Sequence, residues 1–492
     1  MKIGYAFLAD HYKLSIVALR CEAVATSAVN RLIKKDKEIL VPEKVLLTLK
    51  TPLDHLLFAL KNEGIHLEIL AQILPLMEQS EVQACIDQTP TGTYVRKLGY
   101  LWELFTGKTL QTAAAKGGYV DLFDPSRYLT GQRRKNAKWQ IYFNGLGNER
   151  YCPVVERTAL IEHYLKTDLL EETQRFIEEI GPINADRALQ WAYLSETESS
   201  FEIEGEAANY NKAERFIRLL QHAHDDQTLT EEYLCELQHE VVSNPFAQAF
   251  SYRTEQNWLR QNAPGVFSVS YVPPDPDLLD RIMTDFLAMA NTMPVYVDPI
   301  VAASVTSFGF VYLHPFMDGN GRLSRFLFHQ QLCRSGRLKK GLVLPVSIAM
   351  KEDEVGYLTA LNAFSKPCRS LWSVKWIDSD RFDFQFNGNE SSYRFWNATE
   401  QVEFGFRMAD RALNTHLKDE VLYLERFDRI YRAMNDRYDI RQNTLFNLIN
   451  RGLDNQGVIS KNLRKRYVYE VPEEAFDCVE RLIKEELDPK QD

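Results

Sequence analysis

Residues 314–325 read HPFMDGNGRLSR. Within one dozen positions stand a histidine, a carboxylate, a Gly-Asn-Gly turn and two arginines. Pro315 disfavours helical geometry in the residue before it. His314 is therefore expected at the end of a helix spanning 298–313, facing a loop, with a side chain that can accept a proton at neutral pH. Gly319, Asn320 and Gly321 permit positive φ and leave backbone N–H groups uncovered where the next helix, about 321–334, begins. Such a turn is an anion nest. Arg322 and Arg325 lie one turn apart on that helix, and guanidinium forks suit phosphate oxygens. Asp318 puts a carboxylate beside the nest, where its physical use is to hold Mg²⁺, an ion that bridges phosphates. Phe316 is expected to point into the core and brace the loop. Singly, an Asn-Gly pair is an ordinary turn and a histidine at a helix end is ordinary structure. Together they are the parts needed to activate a hydroxyl and attack a nucleotide phosphate.

The elements that must position these residues are mostly helical. VPEKVLLTLKTPLDHLLFALKNEG, LEILAQILPLMEQ and YVRKLGYLWELFTGKTL, within 40–107, place apolar residues three and four apart. Around 127–156, aromatic alternation on either side of NGLGN predicts a β-hairpin. Helices are expected over 160–240 and 277–336. Between them NAPGVFSVSYVPPDP, 262–276, is β-rich and bounded by Pro and Gly, which predicts a hairpin or an exposed strand. A third hairpin is expected over 376–401, turning at FNGN, and helices follow after 402.

The chain has 492 residues, too many for a single core, so two to four domains are expected. A net charge of −10 makes the whole chain a poor nucleic-acid binder. The seven cysteines form no CxxC pair and are odd in number, which fits free thiols in a reducing compartment. The first twenty residues lack a signal-peptide pattern, and PIVAASVTSFGFVYLHPF is too short for a membrane span and reads as a buried core helix. A soluble, cytoplasmic protein without membrane contact is expected.

HPFMDGNGRLSR also resembles the Fic-domain signature HPFx[DE]GNGRxxR at every specified position: His314, Pro315, Phe316, Asp318, Gly319, Asn320, Gly321, Arg322 and Arg325. The likeness is close over roughly 185–365. It implies transfer of AMP from ATP to a hydroxyl of a protein target. By resemblance, His314 deprotonates the target side chain and Asp318 coordinates Mg²⁺. Gly319, Asn320 and Gly321 cradle the phosphates, and Arg322 and Arg325 neutralise them. Ser268, Val269, Ser270 and Tyr271 fall where such proteins keep a flap over the nucleotide that docks the target by strand pairing; an ordinary surface hairpin is the alternative. GYLTAL, 356–361, keeps part of the pattern near the adenine, which makes Tyr357 the adenine-pocket candidate. SSFEIEGE, 199–206, fits the inhibitory pattern [ST]xxxE[GN] through Ser200, Glu204 and Gly205. Glu204 would reach Arg325 and occupy the place of the γ-phosphate, Ser200 would fix the helix, and Gly205 would let it approach closely. A capping box from Ser199 and Glu202 is the alternative.

The fold class expected is mainly α: a Fic helical core with a β-hairpin flap, an N-terminal helical domain, and a C-terminal helical or winged-helix-like domain with small hairpins. The boundaries are 1–125, 126–180, 181–375 and 376–492. The implied partners are ATP and a protein with a Ser, Thr or Tyr hydroxyl. Self-modification and a homodimer are compatible with the likeness, and so is a Fic-fold enzyme that uses another nucleotide or removes AMP. The basic run at 460–466 raises a DNA-binding reading of the C-terminal region, against the plainer one of a solvated helix face.

Overall fold

A computed structural model of the chain describes residues 1–487, apart from 18, 20, 36, 37, 113–117, 243, 379 and 380. Its architecture is mainly α, with four small sheets. The central helix, Pro299–Leu313, buries every residue except Val311. A helix apolar on all sides has to lie inside a large core. Asp298 starts it, accepting from the Ile300 N–H at 2.9 Å, with Pro299 in the first turn. Against it pack Asn320–Arg334 and Thr399–Arg411. The core around these helices draws on residues from Leu129 to Val421. A second core runs from Tyr5 to Cys152 and takes in Phe395, and a third lies within Phe427–Ile483. No helix among the described residues is long and apolar enough to cross a membrane.

Four segments depart from the sequence reading. The N-terminal region opens on a sheet of order Lys2–Ile3, Glu22–Thr26, Glu38–Pro42, Ile33–Lys34, in which the two longer strands run parallel from Glu22↔Glu38. Strands of two to five residues are too short to show a period-two pattern. The hairpin near 127–156 exists, but it pairs Arg134↔Phe143 and turns before Ile141. NGLGN follows the strand instead. It is a close-packed connection: a Cβ on Gly147 would lie 1.9 Å from the Tyr151 carbonyl, and one on Gly145 would lie 2.4 Å from Cys152 Sγ. Likewise the third hairpin pairs Trp372↔Phe386 at one end and Asp378↔Arg381 at the other. FNGN ends the second strand, and Asn389 accepts from Ser391 N–H at the start of a short helix.

From Lys418 onward the described residues form the helices Lys418–Asn435, Gln442–Asp454, Lys461–Arg466 and Glu473–Leu487 and no strand, which favours the helical over the winged-helix-like alternative. Its basic run is partly neutralised from within. Arg464 reaches Glu473, Asp477 and Glu480 at 2.8, 2.9 and 3.0 Å.

Candidate active site

The motif loop joins the end of the central helix to the start of Asn320–Arg334. His314 ends the central helix with φ 50 and ψ 58, a left-handed conformation unusual for a residue other than glycine. Its Nδ1 lies 3.2 Å from the Val311 carbonyl. A carbonyl only accepts, so Nδ1 carries the hydrogen and Nε2 keeps a free lone pair. Burial, with Arg253 nearby, pushes the imidazole down to about 4 against the opposing pull of the Val311 carbonyl and Glu204, so it is neutral at physiological pH.

Arg253 is a part of the loop that the sequence did not reveal. It is buried; its Nε donates to His314 O at 2.9 Å and its backbone N–H to Pro315 O at 2.8 Å. Gln238 adds a bond from Nε2 to Asp318 O at 3.2 Å. Neither residue lies in a local pattern; both are recognisable only from the fold. Asn320 ties the loop across its width: its Oδ1 accepts from Phe316 N–H at 3.0 Å and its Nδ2 donates to Phe316 O at 2.7 Å. With its side chain so engaged, Asn320 has only its backbone N–H to offer an anion. Phe316 is buried as expected.

Gly319 precedes the next helix at φ 86, and no side chain caps the first-turn amides. A Cβ there would meet Val241 Cγ2 at 2.9 Å, so both conformation and space call for glycine. Asp318 is 51 % exposed, and one carboxylate oxygen accepts from Gly319 N–H at 2.6 Å.

The two arginines part company. Arg325 is 2 % exposed and faces the helix Gly181–Ile203: Nε donates to Ser200 Oγ at 2.7 Å, and Nη2 to Ser200 O at 2.8 Å and Glu204 Oε1 at 2.9 Å. Arg322, also buried, turns to the end of Glu231–Val241. It donates to Val241 O at 2.9 Å, stands 3.5 Å from both Asp318 and Glu206, and covers the Phe201 ring at 5.2 Å. The expectation of two parallel phosphate forks is therefore corrected: Arg322 braces the walls.

Segment 199–206 lies at the C-terminal end of its helix, which rules out the capping box. Glu204 rests on the glycine turn. A Cβ on Gly321 would lie 2.0 Å from Glu204 Oε1, so the carboxylate already lies at the anion nest. Gly205 does not serve close approach: nothing lies within 4 Å of where its Cβ would be. Its φ of +71 supplies the left-handed residue that ends the helix, with Gly205 N–H on Glu202 O and Glu206 N–H on Phe201 O.

Ser268–Tyr271 is also corrected. Val269–Tyr271 pairs with Leu259–Arg260 to form the hairpin, but Val269 and Tyr271 are core residues. Tyr271 donates its hydroxyl to Tyr312 O, and Ser268 and Ser270 donate theirs to Gly265 O and Leu259 O. Arg369 Nε donates to Val269 O at 3.0 Å on the other side. The partner of Val269–Tyr271 in this two-stranded sheet is Leu259–Arg260. Tyr357, expected by the adenine, has its hydroxyl at Arg325, close to Glu204; burial raises its pKa and Arg325 opposes the rise.

A half-buried proton-accepting histidine, an uncapped glycine turn and an arginine beside it make a site for a nucleophilic attack on a phosphate ester. Residues 228–332 match the model of the Fic/DOC family. It is 34 % identical over 104 residues to the protein adenylyltransferase Fic of Nematostella vectensis, across 21 % of this chain and 23 % of that one. With the Aedes aegypti protein of the same name it shares 36 % over 72 residues, 14 % of each chain. The match thus spans less than a quarter of these relatives. Among solved structures it is similar to a Fic family protein from Desulfovibrio desulfuricans G20, with a TM-score of 0.40 and 16 % identity over 64 % of this chain and 89 % of that one.

Proposed function

We propose that this chain is a Fic-type protein adenylyltransferase held in check by Glu204. The observation that carries the reading is the occupied nest: Glu204 sits against Gly321 and on Arg325, where an anionic phosphate would go. In the reaction, the target hydroxyl oxygen attacks the α-phosphorus of ATP and forms a P–O ester bond. The bond from that phosphorus to the oxygen bridging to the β-phosphate breaks, and pyrophosphate leaves. The hydroxyl proton passes to His314 Nε2. Arg325 and the first-turn amides hold the phosphates; Arg253 and Asn320 keep the loop in shape.

Asp318 fits a magnesium site of the sparse kind. No group of three or more His, Cys, Asp or Glu side chains among the described residues could hold a metal. Mg²⁺ is habitually bound by one or two carboxylates, substrate phosphates and water. Asp318 would hold the ion, which supplies charge neutralisation on the phosphates when bound. All seven cysteines are unpaired, which supports a reducing cytoplasmic setting.

With Glu204 in place ATP can still bind, but with its triphosphate displaced from line with the attacking hydroxyl. Misplacement of this kind lowers rate by about 100-fold. Label transfer from α-labelled ATP with Mg²⁺, into the chain itself or into proteins of an added lysate, tests the reading. Glu204→Gly should transfer AMP about 100-fold faster than wild type, and Glu204→Gly with His314→Ala should transfer none. Transfer at the Glu204→Gly rate without His314 would remove the base assignment. Labelling only by another nucleotide would favour a different donor on the same fold.

A further inference from the structure

Eight residues before Glu204 the same helix carries a second acid, Glu196, which the chemistry does not use. Glu196, Ser200 and Glu204 are four apart and so share one face. Opposite them, Arg325 and His329 are four apart on the motif helix. Glu196 is wholly buried and so is His329, and they meet at 2.8 Å through Oε1 and Nε2. Ser347, from the helix Val346–Glu352, closes the cluster: its backbone N–H donates to Glu196 Oε2 at 2.8 Å and its hydroxyl to Oε1. The same short helix sends Lys351 to Glu202. Burial pushes the Glu196 carboxyl up, but His329 and the two Ser347 bonds more than offset this and hold it below the usual range. A buried carboxylate that takes two hydrogen bonds from Ser347 and lies against His329 is expensive to strip of them. The helix therefore has one preferred register and depth against the motif helix, and that register carries Glu204 to the nest.

We propose that Glu196, gripped by His329 and Ser347, is the latch that seats the inhibitory carboxylate, so that breaking this cluster switches AMP transfer on with Glu204 itself intact. The proposal rests on the inhibitory reading of Glu204 and adds the residues that set its strength. His329 and Ser347 are positioning residues; neither reaches the nest.

The test compares label transfer from α-labelled ATP and Mg²⁺ in the full chain and four variants: Ser347→Ala, Glu196→Gln, Glu204→Gly, and Glu204→Gly combined with Ser347→Ala. Loss of one hydrogen bond shifts a docked–released balance about three- to tenfold. Ser347→Ala should raise transfer by that factor, Glu196→Gln by more, and neither should exceed Glu204→Gly. In the Glu204→Gly background Ser347→Ala should change nothing, because no carboxylate remains to be released; a general loosening of the core would change it. Hydrogen exchange provides the second readout. The amides of 199–206 should exchange faster in Ser347→Ala, while those of the central helix stay protected. If Ser347→Ala and Glu196→Gln fold, keep wild-type transfer and leave 199–206 as protected as before, while Glu204→Gly is activated, the latch is wrong and the inhibition stands. If Glu204→Gly gains nothing, the inhibitory reading falls and the latch falls with it.

Discussion

His314 shows how a single residue obtains its chemistry from its neighbours. The Val311 carbonyl fixes the tautomer, and burial keeps the ring neutral down to about pH 4. In the Glu204→Gly background, the acid limb of kcat/KM should fall near pH 4; a limb near 6.5, the ordinary histidine value, would mean that the ring is solvated in the working enzyme. The arginines should separate in the same background. Arg325→Ala loses charge-assisted contacts to phosphate, each about 1.5–3 kcal/mol, and should weaken ATP about tenfold or more. Arg322→Ala should instead lower Tm with ATP affinity nearly unchanged, because its guanidinium is tied to Val241, Glu206 and Asp318. Calorimetric titration and melting on both variants decide it. Much of this site was legible because chemistry restricts residue type: base, carboxylate, glycine turn and arginine had few substitutes. What the string hid was direction. Arg322 and Arg325 differ in partners because one faces Glu231–Val241 and the other Gly181–Ile203, and only packing sets that. Arg253, Gln238, Glu196 and His329 were missed because their partners lie 60 or more residues away.

At the scale of elements, long helices were readable and short strands were not. The central helix was announced by its unbroken apolar run and its His-Pro end, and Pro299–Leu313 is where it lies. The hairpins were placed in the right neighbourhoods but assigned the wrong turns. Asn-Gly pairs at 144–145 and 387–388 serve close packing instead, where a Cβ on Gly145 or Gly388 would meet Cys152 Sγ or the Phe386 ring, and the dipeptide does not distinguish the two uses. Val269 and Tyr271 looked like an open β edge, but their side chains belong to the core. Strand addition should therefore be tested at the partner strand, Leu259–Arg260. Leu259→Pro removes an N–H and blocks addition of a further strand. Labelling of lysate proteins by Leu259→Pro should fall several-fold more than its ATP affinity does; equal losses of both would show that the hairpin merely supports the fold. Gly205 offers a second test. Its position is open but left-handed, so Gly205→Asn should be nearly silent in Tm, whereas Gly205→Ala should cost about 1–2 kcal/mol and raise AMP transfer by freeing the end that carries Glu204.

For the whole molecule, pH should act on stability through groups far from the nest. Burial raises Glu63 to about 8 and Glu68 to about 7. The folded chain keeps protons there that the unfolded chain releases above about 4.5, so this contribution is present at low pH and is lost as pH rises through 7 to 8. His66 and His314, held near 4, work the other way: their contribution is present above about 6.5 and is lost as pH falls toward 4. The two sets oppose each other between 4.5 and 6.5, and above that the carboxyls act alone. Tm should fall from pH 6.5 to 8, and Glu63→Gln should flatten the slope; a Tm that rises over this range would contradict the assignment. The general plan, a helical core around the motif with helical regions on either side of it in sequence, was visible in periodicity and in the motif, while the N-terminal sheet required coordinates.

One helix links these regions. Gly181–Ile203 holds Asp428 of the C-terminal helices through Arg187 at 2.7 Å near one end, and carries Glu204 at the other. At 1.5 Å per residue the two points are about 25 Å apart. With the pivot at Glu196, about 12 Å from Glu204, a rotation of about 10° would swing the carboxylate by about 2 Å, enough to break a hydrogen bond to Arg325. In mechanical terms the helix is a lever arm, with Glu196 and His329 as its fulcrum. Glu196 stands nine residues from Arg187 and eight from Glu204, so a displacement at the C-terminal helices arrives at the glycine turn at about its own size and reversed in direction.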